Sequence, residues 1–215
     1  MKTFVTRTLL AAILLAPAAA SASPFVQVGD TLKLQDSVGS LGGGEFIAHA
    51  VPAGSFDSFV TFCIQLSEHI VVDNSTVYTV SGIGLTSVGA GASALTEQTA
   101  YLYSNFRAGT LAGYAANSAQ SANALQWAIW SLQSQAPLPG LDGATQTLAN
   151  AFIAAANLAV TTNAWDGYGN VRIMNLVDAN RRNVQDQLTT VPEPASLLLV
   201  GTALLGLAGR LRRVR

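Results

Sequence analysis

The chain has 215 residues, half of them apolar, with 11 Lys and Arg against 12 Asp and Glu and a formal net charge of −1. That apolar fraction excludes a disordered polypeptide. The sparse, scattered bases of its interior exclude a nucleic-acid binder, which needs clustered Lys and Arg.

Residues 1–22 read as a secretory signal peptide. Met1-Lys2 and Arg7 form a basic start, residues 8–16 an apolar core, and Ala20-Ser21-Ala22 an A-x-A cleavage site. This implies passage through the Sec export machinery. Residues 23–190 then form one exported domain, long enough for a real core. Its charge is near −6, from five bases against eleven acids.

The first half of that domain reads as β. Residues 25–34 alternate loosely, and Gly42-Gly43-Gly44 signals a turn or bulge. Phe46, Ala48 and Ala50 share a face of a second strand. Residues 58–72 carry the strongest alternation, with Val60, Phe62, Ile64 and Leu66 on the apolar side. Cys63 then points the other way with Phe59, Thr61 and Gln65, toward the helical part. Asp73-Asn74-Ser75 reads as the turn of a hairpin returning through residues 76–80, and 82–91 as a glycine-rich loop.

The middle is helical, over residues 94–106, 118–133 and 144–160. In the second helix Ala122, Leu125, Ile129 and Leu132 form the apolar stripe, and Pro137 and Pro139 stop it. Residues 171–177 and 184–188 close the domain as strands. The expected fold is α+β: a β-sandwich or barrel-like scaffold with a helical insertion of about three helices.

Cys63 is the only cysteine, so it has no intramolecular disulfide partner. Gln126 lies at the edge of the apolar stripe, where an unsatisfied buried amide would cost on the order of 1–3 kcal/mol. His49 and His69 are the only histidines. A Cys63–His dyad would make a cysteine-dependent hydrolase, but six residues of extended chain at about 3.3 Å each hold His69 away from Cys63. No zinc spacing is present. Asp73-Asn74-Ser75 and residues 166–170 read as turns rather than calcium loops, and no metal or cofactor is expected.

Residues 191–215 end the chain. Val191-Pro192-Glu193-Pro194 is stiff and non-helical. An apolar run over 195–209 follows, then Arg210, Arg212, Arg213 and Arg215. The run is shorter than the span of about 20 residues typical of a transmembrane helix, unless the arginines snorkel. The basic cluster would hold the C-terminus inside. Motif, apolar stretch and basic end together resemble the PEP-CTERM sorting signal. The resemblance implies a Gram-negative exosortase that holds the exported protein at the inner membrane, cuts near the motif, and releases or re-anchors it outside.

A second resemblance runs through the domain. Phe62-Cys63-Ile64 on a strand, Ala100-Tyr101-Leu102-Tyr103 in a helix, and Gln126-x-Ala128-Ile129-Trp130 in the next helix resemble the thioester domain of Gram-positive surface adhesins, the TQxA family. Leu125 stands where that family has threonine, and Ser131 where an acidic residue is common. The resemblance implies a thioester between Cys63 and Gln126, shielded by an aromatic and apolar pocket of Phe59, Phe62, Trp127, Ile129 and Trp130. It implies single-use covalent adhesion rather than turnover, with an amine or hydroxyl on extracellular polysaccharide, protein or matrix as the target. The alternatives are a non-covalent surface or biofilm-matrix protein with a free buried cysteine and, more weakly, the hydrolase.

Overall fold

The computed structural model describes residues 25–39, 44–73, 75–135 and 141–192. The expected signal peptide, Gly42 and Gly43, Pro137 and Pro139, and the sorting segment from Glu193 onward lie outside the described residues.

Six strands, β1 (Thr31–Asp36), β2 (Phe46–Val51), β3 (Phe59–Thr61), β4 (Tyr78–Gly84), β5 (Val171–Val177) and β6 (Asn183–Thr190), form one antiparallel sheet in the order β3-β2-β1-β4-β5-β6. Three helices, α1 (Glu97–Arg107), α2 (Ala119–Leu132) and α3 (Gly143–Thr161), are inserted between β4 and β5. This is an α+β fold with the helical insertion the sequence implies.

The helices start where side chains satisfy the orphan N–H groups of a first turn. Thr96 accepts from Thr99 N–H, Ser118 from Ser121 N–H, and Asp142 from Ala144 and Thr145 N–H. Glu97 in the first turn and Arg107 in the last suit the α1 dipole. Along α2, Ala122, Leu125, Gln126, Ile129 and Trp130 are buried, one continuous helical face.

The outer strands of the sheet meet. Beyond β3 the chain runs on beside β6: Leu188 N–H donates to Phe62 C=O and Ile64 N–H to Asp186 C=O, both at 3.0 Å. These bonds bracket an antiparallel bridge between Cys63 and Gln187. The sheet is thereby closed on itself along a short seam, which covers part of its two outer edges. The Tyr103 hydroxyl of α1 lies across the same seam, 2.9 Å from Val60 C=O and 3.2 Å from Leu188 C=O.

Alternation across the seam separates two cores. Phe62, Ile64, Val171, Ile173 and Leu188 pack with α1, α2 and α3 around Leu102, Tyr103, Leu125, Ile129 and Phe152. Cys63 packs with Leu32, Leu34, Phe46, Ala48, Tyr78, Met174, Leu176 and, from α2, Trp130.

Three sequence expectations are corrected here. Residues 58–72 are not one long strand: pairing ends at Thr61, resumes only as the Cys63 bridge, and the chain beyond is irregular. The expected hairpin of 58–72 with 76–80 does not form, because β3 pairs with β2 while β4 pairs with β1 and β5. Cys63 faces the strand-lined core rather than the helical layer, which Phe62 and Ile64 face instead.

Tyr103→Phe removes the hydroxyl at the seam. It should lower the unfolding free energy in urea by about 1–2 kcal/mol; an unchanged midpoint would show that this contact adds nothing to closure.

Candidate functional site

Cys63 and Gln187 form a bridge of the non-hydrogen-bonded type, since the two bonds that define it belong to their neighbours. The backbone N–H and C=O of Cys63 therefore point away from β6. On that side β2 has already ended at Phe46, so no strand receives them. Gln126 does. Its Oε1 accepts from Cys63 N–H at 2.9 Å, and its Nε2 donates to Cys63 C=O at 2.8 Å. A helix carboxamide thus stands in for the missing strand, and it brings the amide carbon of Gln126 beside the residue that carries the thiol. Cys63 is fully buried and Gln126 is 2% exposed.

The thiol has its own polar neighbours, both on β6. Its Sγ donates to Gln185 Oε1 at 2.8 Å and accepts from Gln187 Nε2 at 3.4 Å. In a bridge of this type facing side chains are close, which is why Gln187 reaches the sulfur. Gln185, two residues along, points to the same face. Burial pushes the Cys63 thiol up to about 12, against a smaller opposing effect of the Gln187 hydrogen bond. At neutral pH it is a protonated thiol. Two polar atoms of this region are buried without partners: Gln187 Oε1, and the indole nitrogen of Trp130, one helical turn beyond Gln126.

The proposed shielding residues are divided between the two cores. Trp130 packs in the Cys63 cluster, and Phe59 lies partly buried against it. Phe62 and Ile129 belong to the helical core, with Trp127 at its margin. The five do not form one pocket. The Arg107 guanidinium lies 5.3 Å above the Phe59 ring, beside a cleft of about 200 Å³ that Asp57, Ser58, Thr189 and Thr190 also line.

Asp186, between the two glutamines, holds the surrounding chain. The β5–β6 register shifts between Met174 and Leu176, and the carboxylate takes up Leu176 N–H at 2.9 Å. Its other oxygen accepts from Val88 N–H at 2.7 Å and Asn175 Nδ2 at 2.8 Å. Gln65 joins the same cluster, accepting from Asp186 N–H at 2.9 Å and donating to the carbonyls of Val88 and Ala90. The 86–91 loop is pinned over this end of the seam. Gly91 in it has φ +69°, a left-handed conformation that favours glycine.

His49 bonds to Ser58 and Gln35, and neither histidine is a hydrogen-bond partner of the thiol. Asp73 caps its turn by accepting from Ser75 and Thr76 N–H. Among the described residues no group of three His, Cys, Asp or Glu could hold a metal ion.

Sequence reasoning missed Gln185, Asp186 and Gln187, and named Gln65 only as a strand neighbour of Cys63. In β6 the order Val184-Gln185-Asp186-Gln187-Leu188 looks like a solvated strand, yet residues 185–189 are all buried. Three consecutive polar residues immediately before the final apolar position of a closing strand were the available signal.

Residues 190–213 match the protein family described as the PEP-CTERM protein-sorting motif. The chain is accordingly an exosortase-sorted protein, exported through a transient stage at the membrane to the cell surface or extracellular space. Exosortase is its processing partner. Of the sorting residues, Pro192 is described and exposed, two positions beyond β6; Glu193, Pro194, Arg210, Arg212, Arg213 and Arg215 lie outside the described residues. Among the described residues no helix is long and apolar enough to cross a membrane. No curated protein and no solved structure matches the chain.

Two outcomes follow from the electrostatics. The folded protein should resist iodoacetamide at pH 8, because Cys63 is both sealed and protonated; stoichiometric labelling of the native state would contradict this. Burial raises Asp186 to about pH 6, above its unfolded value near 3.9. The native state therefore binds this proton more tightly. Stability from this group is fully present below about pH 4 and is lost as pH rises through about 6, by roughly 2–3 kcal/mol. In urea titrations the stability of wild type relative to Asp186→Asn should decline between pH 4 and pH 7; a pH-independent difference would contradict the shift.

Proposed function

We propose that the exported domain is a single-use acyl-transfer module, in which Cys63 and Gln126 form an internal thioester that later joins the protein covalently to a surface or matrix target. The observation that supports this reading is the double hydrogen bond between the Gln126 carboxamide and the Cys63 backbone, inside a sealed interior. It pre-pays the entropy of bringing thiol and amide together.

The reaction balances without a co-reactant. The sulfur attacks the Gln126 side-chain carbon, the S–C bond forms, and the S–H and C–N bonds break. Ammonia leaves carrying the sulfur's proton. Charge that builds on Gln126 Oε1 falls where Cys63 N–H already donates, as in an oxyanion hole. The finished bond lacks the Nε2–H donor, so Cys63 C=O loses one partner. Water is excluded by complete burial of the sulfur. An amine or hydroxyl that gains access takes the acyl group, and Cys63 returns as a thiol. The event happens once per molecule, so the protein is an adhesive rather than an enzyme. A signal peptide over 1–22 and Sec would deliver it, and the apolar 195–209 segment would hold it at the inner membrane until exosortase acts.

A second reading has its own support. The Gln126 contact also satisfies the unpaired groups of a strand end, and the thiol is strongly protonated. These features alone suit a non-covalent structural protein of the surface or matrix. The hydrolase reading would require turnover that depends on His49 or His69.

Intact mass of protein purified in amine-free buffer separates the readings. The thioester form is lighter than the encoded mature chain by one ammonia, and Cys63→Ala or Gln126→Ala abolishes the deficit. Methylamine should add at Gln126 and expose one titratable thiol. A full mass, with a thiol that is alkylated quantitatively on unfolding, would contradict the thioester and leave the structural reading.

A further inference from the structure

The two β6 glutamines meet the sulfur in a largely apolar setting. Gln185 is 4% exposed and Gln187 fully buried, on the same face as Cys63, beside a core of Leu, Phe, Tyr and Met side chains. At position 187 an apolar residue would fill that space without burying an unsatisfied amide oxygen. Gln185 is satisfied: Oε1 receives the S–H, and Nε2 donates to Gln65 C=O at 2.6 Å. Gln187 is half satisfied. Its Nε2 reaches the sulfur and, at 3.3 Å, Gln185 C=O, but its Oε1 has no donor. A buried acceptor beside a reactive atom, with no donor in the resting state, is suited to a donor that arrives during reaction.

We propose that Gln185 and Gln187 steer thioester formation at the sulfur: Gln185 holds the S–H proton and so orients the lone pairs, and the unpartnered Gln187 oxygen receives the departing ammonia. This inference rests on the thioester reading. With the proton held by Gln185 and one lone pair engaged by Gln187 Nε2, the second lone pair is left for the Gln126 carbon. As the S–C bond forms, the sulfur's proton passes to Gln126 Nε2, and the C–N bond breaks. The ammonia released has three N–H donors, and Gln187 Oε1 accepts one of them. In the thioester form the sulfur has no proton, so Gln185 Oε1 also becomes a free acceptor. Gln185 Oε1 regains its donor only when the bond opens.

The test measures bond closure directly. The full domain is treated with ammonia to reopen the bond, exchanged into ammonia-free buffer, and followed by intact mass as the deficit of one ammonia returns. Gln185→Met and Gln187→Met should each slow closure by about tenfold or more, as expected for loss of one hydrogen bond at a reacting atom. Gln185→Glu keeps the acceptor oxygens and should close with a rate that rises as its carboxyl ionises, while wild type stays flat over that range. Closure at the wild-type rate in both Met variants overturns the proposal. Should these variants fail to fold, Gln185→Glu decides alone, and a pH-independent rate in it overturns the proposal. Wild type with no deficit at all removes both this inference and the thioester reading; a normal deficit with unaltered kinetics in the variants removes this inference only.

Discussion

The contact between the Gln126 carboxamide and the Cys63 backbone joins the two halves of the domain at the point where the sheet closes. Closing a six-stranded sheet on itself leaves a problem at the seam. The segment beyond β3 can pair with β6 on one side only, because β2 has stopped, and its outward N–H and C=O are buried. Orphaning such groups costs about 1–3 kcal/mol each. A helix side chain with one donor and one acceptor, spaced like a peptide, solves this. The solution requires a glutamine on α2 directly opposite the seam residue. That requirement sets the rotation of α2 and makes Trp130, one turn later, the helix residue that enters the strand-lined core.

The proposed chemistry draws on the same constraint. The carboxamide is bonded to the backbone of the residue that carries the thiol, and both side chains are buried away from water. Burial also keeps the thiol protonated, so the proposed thioester would have a poor leaving group and would persist until the site is opened. The polar groups around it belong largely to one strand. Gln185 and Gln187 meet the sulfur, and Asp186 between them ties the 86–91 loop and the β5 irregularity to the seam. That strand ends at Thr190, and Val191 N–H makes the last described backbone tie, to Asn170 C=O at 2.9 Å, just before Pro192. The sorting motif therefore leaves the domain directly from the strand that lines the candidate site.

How much of this was legible in the sequence depended on which physical signal each part carries. The helices were legible because capping residues and a 3.6-residue apolar period are local: Ser118 and the Ala122–Leu125–Ile129 stripe define α2 unaided. The end of β3 was not, because alternation from Phe59 to Leu66 continues past the last paired residue. Side-chain parity survives loss of hydrogen bonding when both faces are buried, as they are here from Thr61 to Gln65. Strand partners were also hidden, since closure pairs residues more than 120 positions apart. Cys63 was picked out as the only cysteine, and Gln126 by its place at the edge of a helix stripe and by the motif around it. The β6 glutamines were not, because polar residues on a strand read as solvated unless closure is known.

A crystal structure of the exported domain at atomic resolution, from protein never exposed to amines, tests the central claim most directly. The account predicts continuous density at covalent distance between Cys63 Sγ and the Gln126 side-chain carbon, with no atom at the Nε2 position. An intact carboxamide donating to Cys63 C=O, with the sulfur at non-bonded distance, would contradict it.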